Sequence, residues 1–260
     1  MIIYSKKKVM PTLTAKQCLA AFADLPQAEK GWQYQSEDDA RISVALGHPY
    51  APQKNTEDSG LVWLNNFRNA SQQDRIKTAV IWDTETTSLT GVMVSIALEL
   101  VNLETGELID SYYQVMNPEE KITEEAFKVH KITQKETEKY HTLPAYWERI
   151  SSFFDDADVM VGQNLGFDIE VLERHTSKYD LMRPNYTPVI DTMPLISKHI
   201  GLKTSNNRKK NPNLLELVEY FNITLPEGDF HNAQVDVEMT RKVFLSFLKM
   251  DLPDGEDLFA

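Results

Sequence analysis

Cysteine is almost missing from this chain: Cys18 is the one instance in 260 residues. A lone cysteine cannot form an internal disulfide or supply a cysteine-based zinc site. The chain therefore reads as a protein of a reducing, cytoplasmic compartment. Long apolar runs are also missing. No stretch approaches 18 consecutive apolar residues, so no membrane span is expected. The opening MIIYSKKKVM has no apolar segment after its lysines, so no secretory signal is expected. Positive charge is scarce as well. The net charge is −12, which argues against a free-standing binder that relies on Lys and Arg to grip phosphates. There is no G-x-x-x-x-G-K, no G-x-S-x-G and no G-x-G-x-x-G, which removes the P-loop, serine-hydrolase and dinucleotide-binding readings. Internal repeats and low-complexity tracts are lacking too.

The charge that is present is uneven. Residues 1–76 hold nine Lys/Arg and eight Asp/Glu, and residues 77–260 hold 18 and 31. The acidic part is also where the element pattern is regular. TAVIWDT reads as a buried strand. VSIALELVN and ELIDSYYQVMN read as a hairpin joined by a Thr-Gly turn near LETGE. TEEAFKVH reads as a short helix capped by Thr123. TLPAYWERISSFFDDA reads as an amphipathic helix with Thr142 as cap and Pro144 in its first turn. DVMVGQN is a short strand and GFDIEVLERHTSKY a helix. TPVIDTMPLISKHI starts extended and ends helical. NPNLLELVEYFNI is a helix opened by Asn and Pro, and DVEMTRKVFLSFLKM is the last helix. A meander followed by alternating helix and strand predicts an α/β fold with a mixed sheet. Residues 1–72 form an accessory segment with one helix (TAKQCLAAFADL), residues 73–250 the main domain, and residues 251–260 an acidic tail.

The chemistry starts at IWDTETTSLT. On a strand, residues two apart share a face, so Asp83 and Glu85 converge while Thr84 and Thr86 point the other way. Two adjacent carboxylates repel unless a cation neutralises them, and hard oxygen donors suit magnesium or manganese. In VGQNLGFDIEVL, Gly162 and Gly166 flank a strand-to-helix turn, and Asp168 lies in the first helical turn. In DFHNAQVDVEMT, His231 lies in a loop and Asp236 five residues on, so a histidine and a carboxylate can approach one site from the same side. EEAFKVHKIT places Phe127 and His130 on a short helix beside a groove.

DTET, QNLGFD and H-N-A-x-x-D, in this order, resemble the DEDDh 3′–5′ exonucleases, the family of the proofreading epsilon subunit of bacterial replicative polymerase. VHKIT resembles that family's His-Gly-Ile-Thr, and VIDTMPL its Asp-Thr segment. The resemblance covers residues 77–248. It implies a ribonuclease-H-like fold with a five-stranded mixed sheet flanked by helices. It makes Asp83, Glu85, Asp168 and Asp236 the ligands of two Mg2+ or Mn2+ ions and His231 the general base. The activity implied is 3′–5′ exonucleolytic release of nucleoside 5′-monophosphates from single-stranded or frayed DNA. RNA 3′-end trimming and a non-catalytic nucleic-acid-binding scaffold are the alternatives. Leu89, Phe127 and His130 become contacts of the terminal base, with Thr86 and Asn164 grouped with them. The sequence departs from the family at Ser88, which stands where Gly is common, at Lys131 after His130, and at Gln163 where His is usual. KTSNNRKKN, with Arg208, Lys209 and Lys210, reads as a phosphate-gripping loop. Residues 1–72 suggest a protein partner, and the closing Leu-Phe of GEDLFA a sliding clamp.

Overall fold

The computed structural model describes residues 2–4, 32–34, 76–184, 189–200, 210–224 and 232–250. The helix expected near residues 14–25, the acidic tail, His231, Arg208 and Lys209 lie outside them. Within the accessory segment, two short strands unforeseen from the sequence, β1 (Ile2–Tyr4) and β2 (Trp32–Tyr34), pair antiparallel.

The main sheet has five strands. β3 (Thr78–Thr86), β4 (Met93–Asn102) and β5 (Leu108–Val115) form an antiparallel meander. β6 (Val159–Gly162) and β7 (Val189–Asp191) add parallel on the other side of β3. The order is β5-β4-β3-β6-β7, the mixed sheet that the sequence predicts. The start of β3 is pinned by Asp158, whose Oδ2 accepts the backbone N–H groups of Lys77 and Thr78 at 2.8 and 3.0 Å. The hairpin turn is organised by Asn102. Its side-chain oxygen accepts the N–H groups of Glu104 and Thr105 at 2.9 and 3.0 Å, and Gly106 takes the left-handed φ of 76°.

The helices among the described residues are α1 (Glu124–His130), α2 (Gln134–Thr137), α3 (Trp147–Asp155), α4 (Leu165–Lys178), α5 (Thr192–Ile200), α6 (Leu214–Tyr220) and α7 (Ala233–Leu248). Thr123 caps α1 as expected, accepting the Ala126 N–H at 3.2 Å. Three expectations change. The long helix at TLPAYWERISSFFDDA opens instead as a 3-10 turn over Leu143–Ala145, and Thr142 makes no side-chain cap bond. Pro144 sits at the start of that turn, where its missing N–H would be unpaired in either kind of helix, so it does not account for the 3-10 form. α6 is opened by Asn213 rather than by Asn211 and Pro212: Asn213 and Glu216 exchange side-chain and backbone bonds in a capping box. The last helix begins at Ala233, with Asn232 as its cap. The single helical turn α2 was not foreseen.

Alternation along β3 divides the core. Val80 and Trp82 face one side, with Ile150, Phe153 and Phe154 of α3 and Leu165, Ile169 and Leu172 of α4. Ala79 and Ile81 face the other, with Val237, Val243, Phe244 and Phe247 of α7 and Leu217 and Val218 of α6. Both faces of the central strand are buried, so its sequence is a continuous apolar run. The run ends where Asp83 begins.

Candidate active site

Continuing the pleat past Trp82 assigns the polar residues to faces. Asp83 and Glu85 follow Ala79 and Ile81 toward α7. Thr84 follows Val80 and Trp82 toward α4. Asp236, in the first turn of α7, meets the first pair: ligand oxygens of Asp83, Glu85 and Asp236 all lie within 4.8 Å of one another. α7 is held over the sheet by its apolar face and by an ion pair from Arg241 to Glu99 of β4 at 2.5 Å. Asp168 arrives from the opposite layer, in the first turn of α4. Its Oδ1 accepts both the N–H and the hydroxyl of Thr84, at 3.0 and 2.6 Å.

The turn into α4 is built for close approach. A Cβ on Gly162 would sit 2.6 Å from Leu165 Cδ1 and 3.2 Å from the Trp82 carbonyl oxygen. Asn164 adopts the left-handed conformation, with φ 61°. Its N–H, and that of Met193, donate to Asp191 Oδ1 at 2.9 and 3.0 Å. Gly166 has open space around it, so it is not required by packing. Asp191 therefore ties the end of β7 to the turn that launches Asp168. Its one signal in the sequence is an acid at the end of a buried strand, the same signal as Asp83.

The acids crowd one another. Burial, then Asp168, Glu85 and Asp236, push the Asp83 carboxyl well above its usual range. Glu85 is pushed up to about 8 by burial, Asp236 and Asp168. Burial raises Asp168 to about 7, against the lowering effect of its bonds to Thr84. Asp191 rises to about 6, mainly through burial. Among the described residues, no positive charge is among the groups that shift Asp83, Glu85 or Asp168. An all-carboxylate set short of positive charge fits hard divalent cations.

The other expected residues are distributed around this centre. Thr86 sits at a break in the β3–β4 register and donates its hydroxyl to the Ser88 carbonyl at 2.9 Å. Leu89 is 84% exposed. Phe127 is 39% exposed and helps line a shallow groove of ≈ 290 Å³ with Ile122 and Ile132. His130 is 7% exposed, with Nδ1 accepting the Ile132 N–H at 3.0 Å. Burial lowers its pKa, so it braces the α1–α2 connection as a neutral ring. Gln163 spans from the start of α5 to the segment before α6: its amide donates to the Pro212 carbonyl at 3.0 Å and its oxygen accepts from Thr192. Lys210 pairs with Glu216. Ser88 needs no left-handed φ, so the loop tolerates a side chain where the family often has Gly. The residue that must be Gly is Gly91, where a Cβ would lie 1.9 Å from Thr87 Oγ1. Among the described residues, no helix is long and apolar enough to cross a membrane.

Residues 80–244 match the RNase_T family, described as Exonuclease. A DNA polymerase III PolC-type protein of Thermotoga maritima is 27% identical over 177 residues, which are 66% of this chain and 12% of that protein. The chain thus spans about an eighth of that relative's length. Among solved structures, the nuclease domain of 3′hExo, a DEDDh family member bound to rAMP, superimposes with a TM-score of 0.56 at 15% identity, covering 66% of this chain and 92% of that one. E. coli exonuclease I in complex with a dT13 oligonucleotide gives 0.55 at 16% identity, covering 65% and 40%. At these identities the superpositions establish the shared ribonuclease-H-like fold. The family match runs from the strand that carries Asp83 to the helix that carries Asp236 and takes in well over half of the chain; the protein belongs to the RNase_T family of exonucleases.

Proposed function

We propose that the chain removes nucleotides one at a time from the 3′ end of single-stranded or frayed DNA and releases nucleoside 5′-monophosphates. The observation that carries this reading is the convergence of Asp83, Glu85 and Asp236 oxygens within 4.8 Å at the end of the central strand. Two divalent ions, Mg2+ or Mn2+, would be held by these three acids together with Asp168. When bound, they supply charge that stabilises the attacking and leaving oxygens of the phosphodiester. His231, ahead of α7 in the chain, takes the proton from the attacking water; an imidazole with an unperturbed pKa of about 6.5 is matched to that task at neutral pH. The bond that breaks joins the terminal phosphorus to the 3′-oxygen of the preceding nucleotide.

Leu89 and Phe127 form the apolar contacts of the terminal base, a surface that tolerates any base. Thr86 and Asn164 border the same place, and His130 supports it from within. Arg208, Lys209 and Lys210 contact the phosphates behind the terminal one, which offsets the acidity of the domain. Residues 73–250 act as the catalytic domain, and residues 1–72 attach it to a partner. The PolC-type relatives favour DNA and a place in replication or repair.

The test is a time course on 5′-labelled single-stranded DNA and its RNA counterpart, with magnesium, manganese or EDTA. A ladder that shortens from the 3′ end, faster on DNA and absent in EDTA, is expected. A faster ladder on RNA replaces the DNA reading with RNA trimming. No ladder on either, from folded protein, removes the catalytic reading.

A further inference from the structure

The segment between β5 and α1 carries an acid with no part in the chemistry above. Glu120 is exposed, yet its carboxylate is committed to one loop. Oε1 accepts the Val92 N–H at 3.1 Å and also the Thr87 hydroxyl. The Glu120 carbonyl accepts the Gln134 side-chain amide at 3.2 Å, and the Gln134 side-chain oxygen accepts the Ile122 N–H at 2.9 Å.

Residues 87–92 form a closed loop with Leu89 near its tip. Two backbone bonds of its own hold it, Thr87 N–H to Val92 carbonyl and Gly91 N–H to Ser88 carbonyl, each 3.0 Å. Arg174 of α4 donates to the Gly91 carbonyl. The Thr87 carbonyl accepts the N–H of Thr123, the cap of α1, at 2.9 Å. The loop is packed so tightly against Glu120 that a Cβ at Gly91 would come within 2.7 Å of its Oε1. Glu120 is thus, with the Thr123–Thr87 backbone bond, one of two points at which the wall bearing Leu89 joins the wall bearing Phe127. A third internal bond runs from the Val92 N–H to Thr87 Oγ1 at 3.2 Å, so Glu120 Oε1 engages the same two groups that close the loop; an outside acceptor that takes both the shared N–H and the hydroxyl favours this closed form over its alternatives.

We propose that Glu120 is a positioning residue for substrate: its carboxylate holds the 87–92 loop in the form that presents Leu89 to the 3′-terminal base. This rests on the reading of Leu89 given above. If only a fraction of molecules keep the loop in that form, apparent affinity falls by that fraction while the chemistry of bound substrate is unchanged.

The experiment is steady-state kinetics of the full chain on a 5′-labelled single-stranded DNA with magnesium. Glu120→Ala should raise KM about tenfold and leave kcat within about twofold. Glu120→Gln keeps an oxygen at the same place and should stay near the unmodified protein. Leu89→Ala should raise KM similarly, and adding Glu120→Ala to it should change little more, because the clamp then has nothing to present. The same comparison is read without turnover by fluorescence anisotropy of a labelled oligonucleotide bound to Asp83→Asn protein. An unchanged KM and Kd in Glu120→Ala overturn the clamp, as do full multiplication of the two effects or a loss confined to kcat. Absence of turnover in the unmodified protein, with oligonucleotide binding weakened by Glu120→Ala, overturns the chemistry and leaves the clamp standing.

Discussion

Thr84 directs two hydrogen bonds at one oxygen: its backbone N–H and its hydroxyl both end on Asp168 Oδ1, at 3.0 and 2.6 Å. The pair joins the central strand to α4 across the edge of the sheet and fixes how the Asp168 carboxyl is turned. Thr84→Val keeps the shape and the backbone donor and loses the hydroxyl. A hydrogen bond to a charged group contributes about 1.5–3 kcal/mol, so kcat should fall about tenfold or more. Thr84→Ser should restore most of it. Single-turnover rates at saturating magnesium check both.

Asp83→Asn should abolish cleavage, since it removes the acid nearest the start of the cluster. It should also raise the melting temperature of chelated protein. Glu85 at about 8 and Asp168 at about 7 are both raised from the ordinary values of 4.5 and 3.8. The folded state therefore holds protons that the unfolded state has released, and stability falls as pH rises from about 4 to about 8. Melting curves in EDTA across that range should decline toward high pH, flatten in Asp83→Asn, and recover on addition of Mg2+. A flat curve in the unmodified protein would contradict the crowding of the acids.

His175 gives the opposite slope. It is fully buried on α4, and neither ring nitrogen has a hydrogen-bond partner among the described residues. Burial, then Lys178, depress its pKa from 6.5 to about 3. The unfolded chain takes up this proton first, so the contribution is present above pH 6.5 and is lost as pH falls toward 3. Each unit is about 1.4 kcal/mol. His175→Phe should gain on the unmodified protein by on the order of 2 kcal/mol at pH 5 relative to pH 7. Urea denaturation at the two pH values measures the difference, and equal differences at both would refute it.

Gly162→Ala should be costly although it adds a single methyl. The new Cβ would press on Leu165 Cδ1 at 2.6 Å and the Trp82 carbonyl at 3.2 Å. Overpacking of this kind costs about 1–3 kcal/mol, and here it displaces the turn that leads to Asp168. A loss of stability with a larger loss of kcat is expected. Gly166→Ala, where the space is open, is the control and should fold as well as the unmodified protein, as its melting temperature will show.

The strands and the acids were legible because their signals are local. The run AVIW followed by Asp-x-Glu announces a buried strand with two carboxylates on one face. What was not legible is which layer each acid comes from. Asp236 shares a face with Asp83 and Glu85 because α7 packs on the side of Ala79 and Ile81. Asp168 reaches the site from the other layer and rests on Thr84, which the pleat directs away from the other two acids. That relation depends on how α4 crosses the sheet, and nothing within the motif around Asp168 encodes it. Thr142 shows the same limit on a small scale: Thr before Leu-Pro has the look of a helix cap, but the turn that follows is 3-10. Glu120 was missed because an exposed glutamate in a polar loop has no pattern of its own; its meaning lies in the two donors of a distant loop.

The division of the site between two layers also sets when it comes into being. Asp83 and Glu85 are on the first strand of the main sheet to be synthesised, and Asp236 is on the last helix described. A nascent or half-folded chain that has formed the meander holds two of the four acids and no pocket. Only docking of α4 on one face and α7 on the other completes it. A nuclease that works through these four acids, as proposed above, would be inert until its fold is closed, and unfinished copies would pose no threat to nearby nucleic acid.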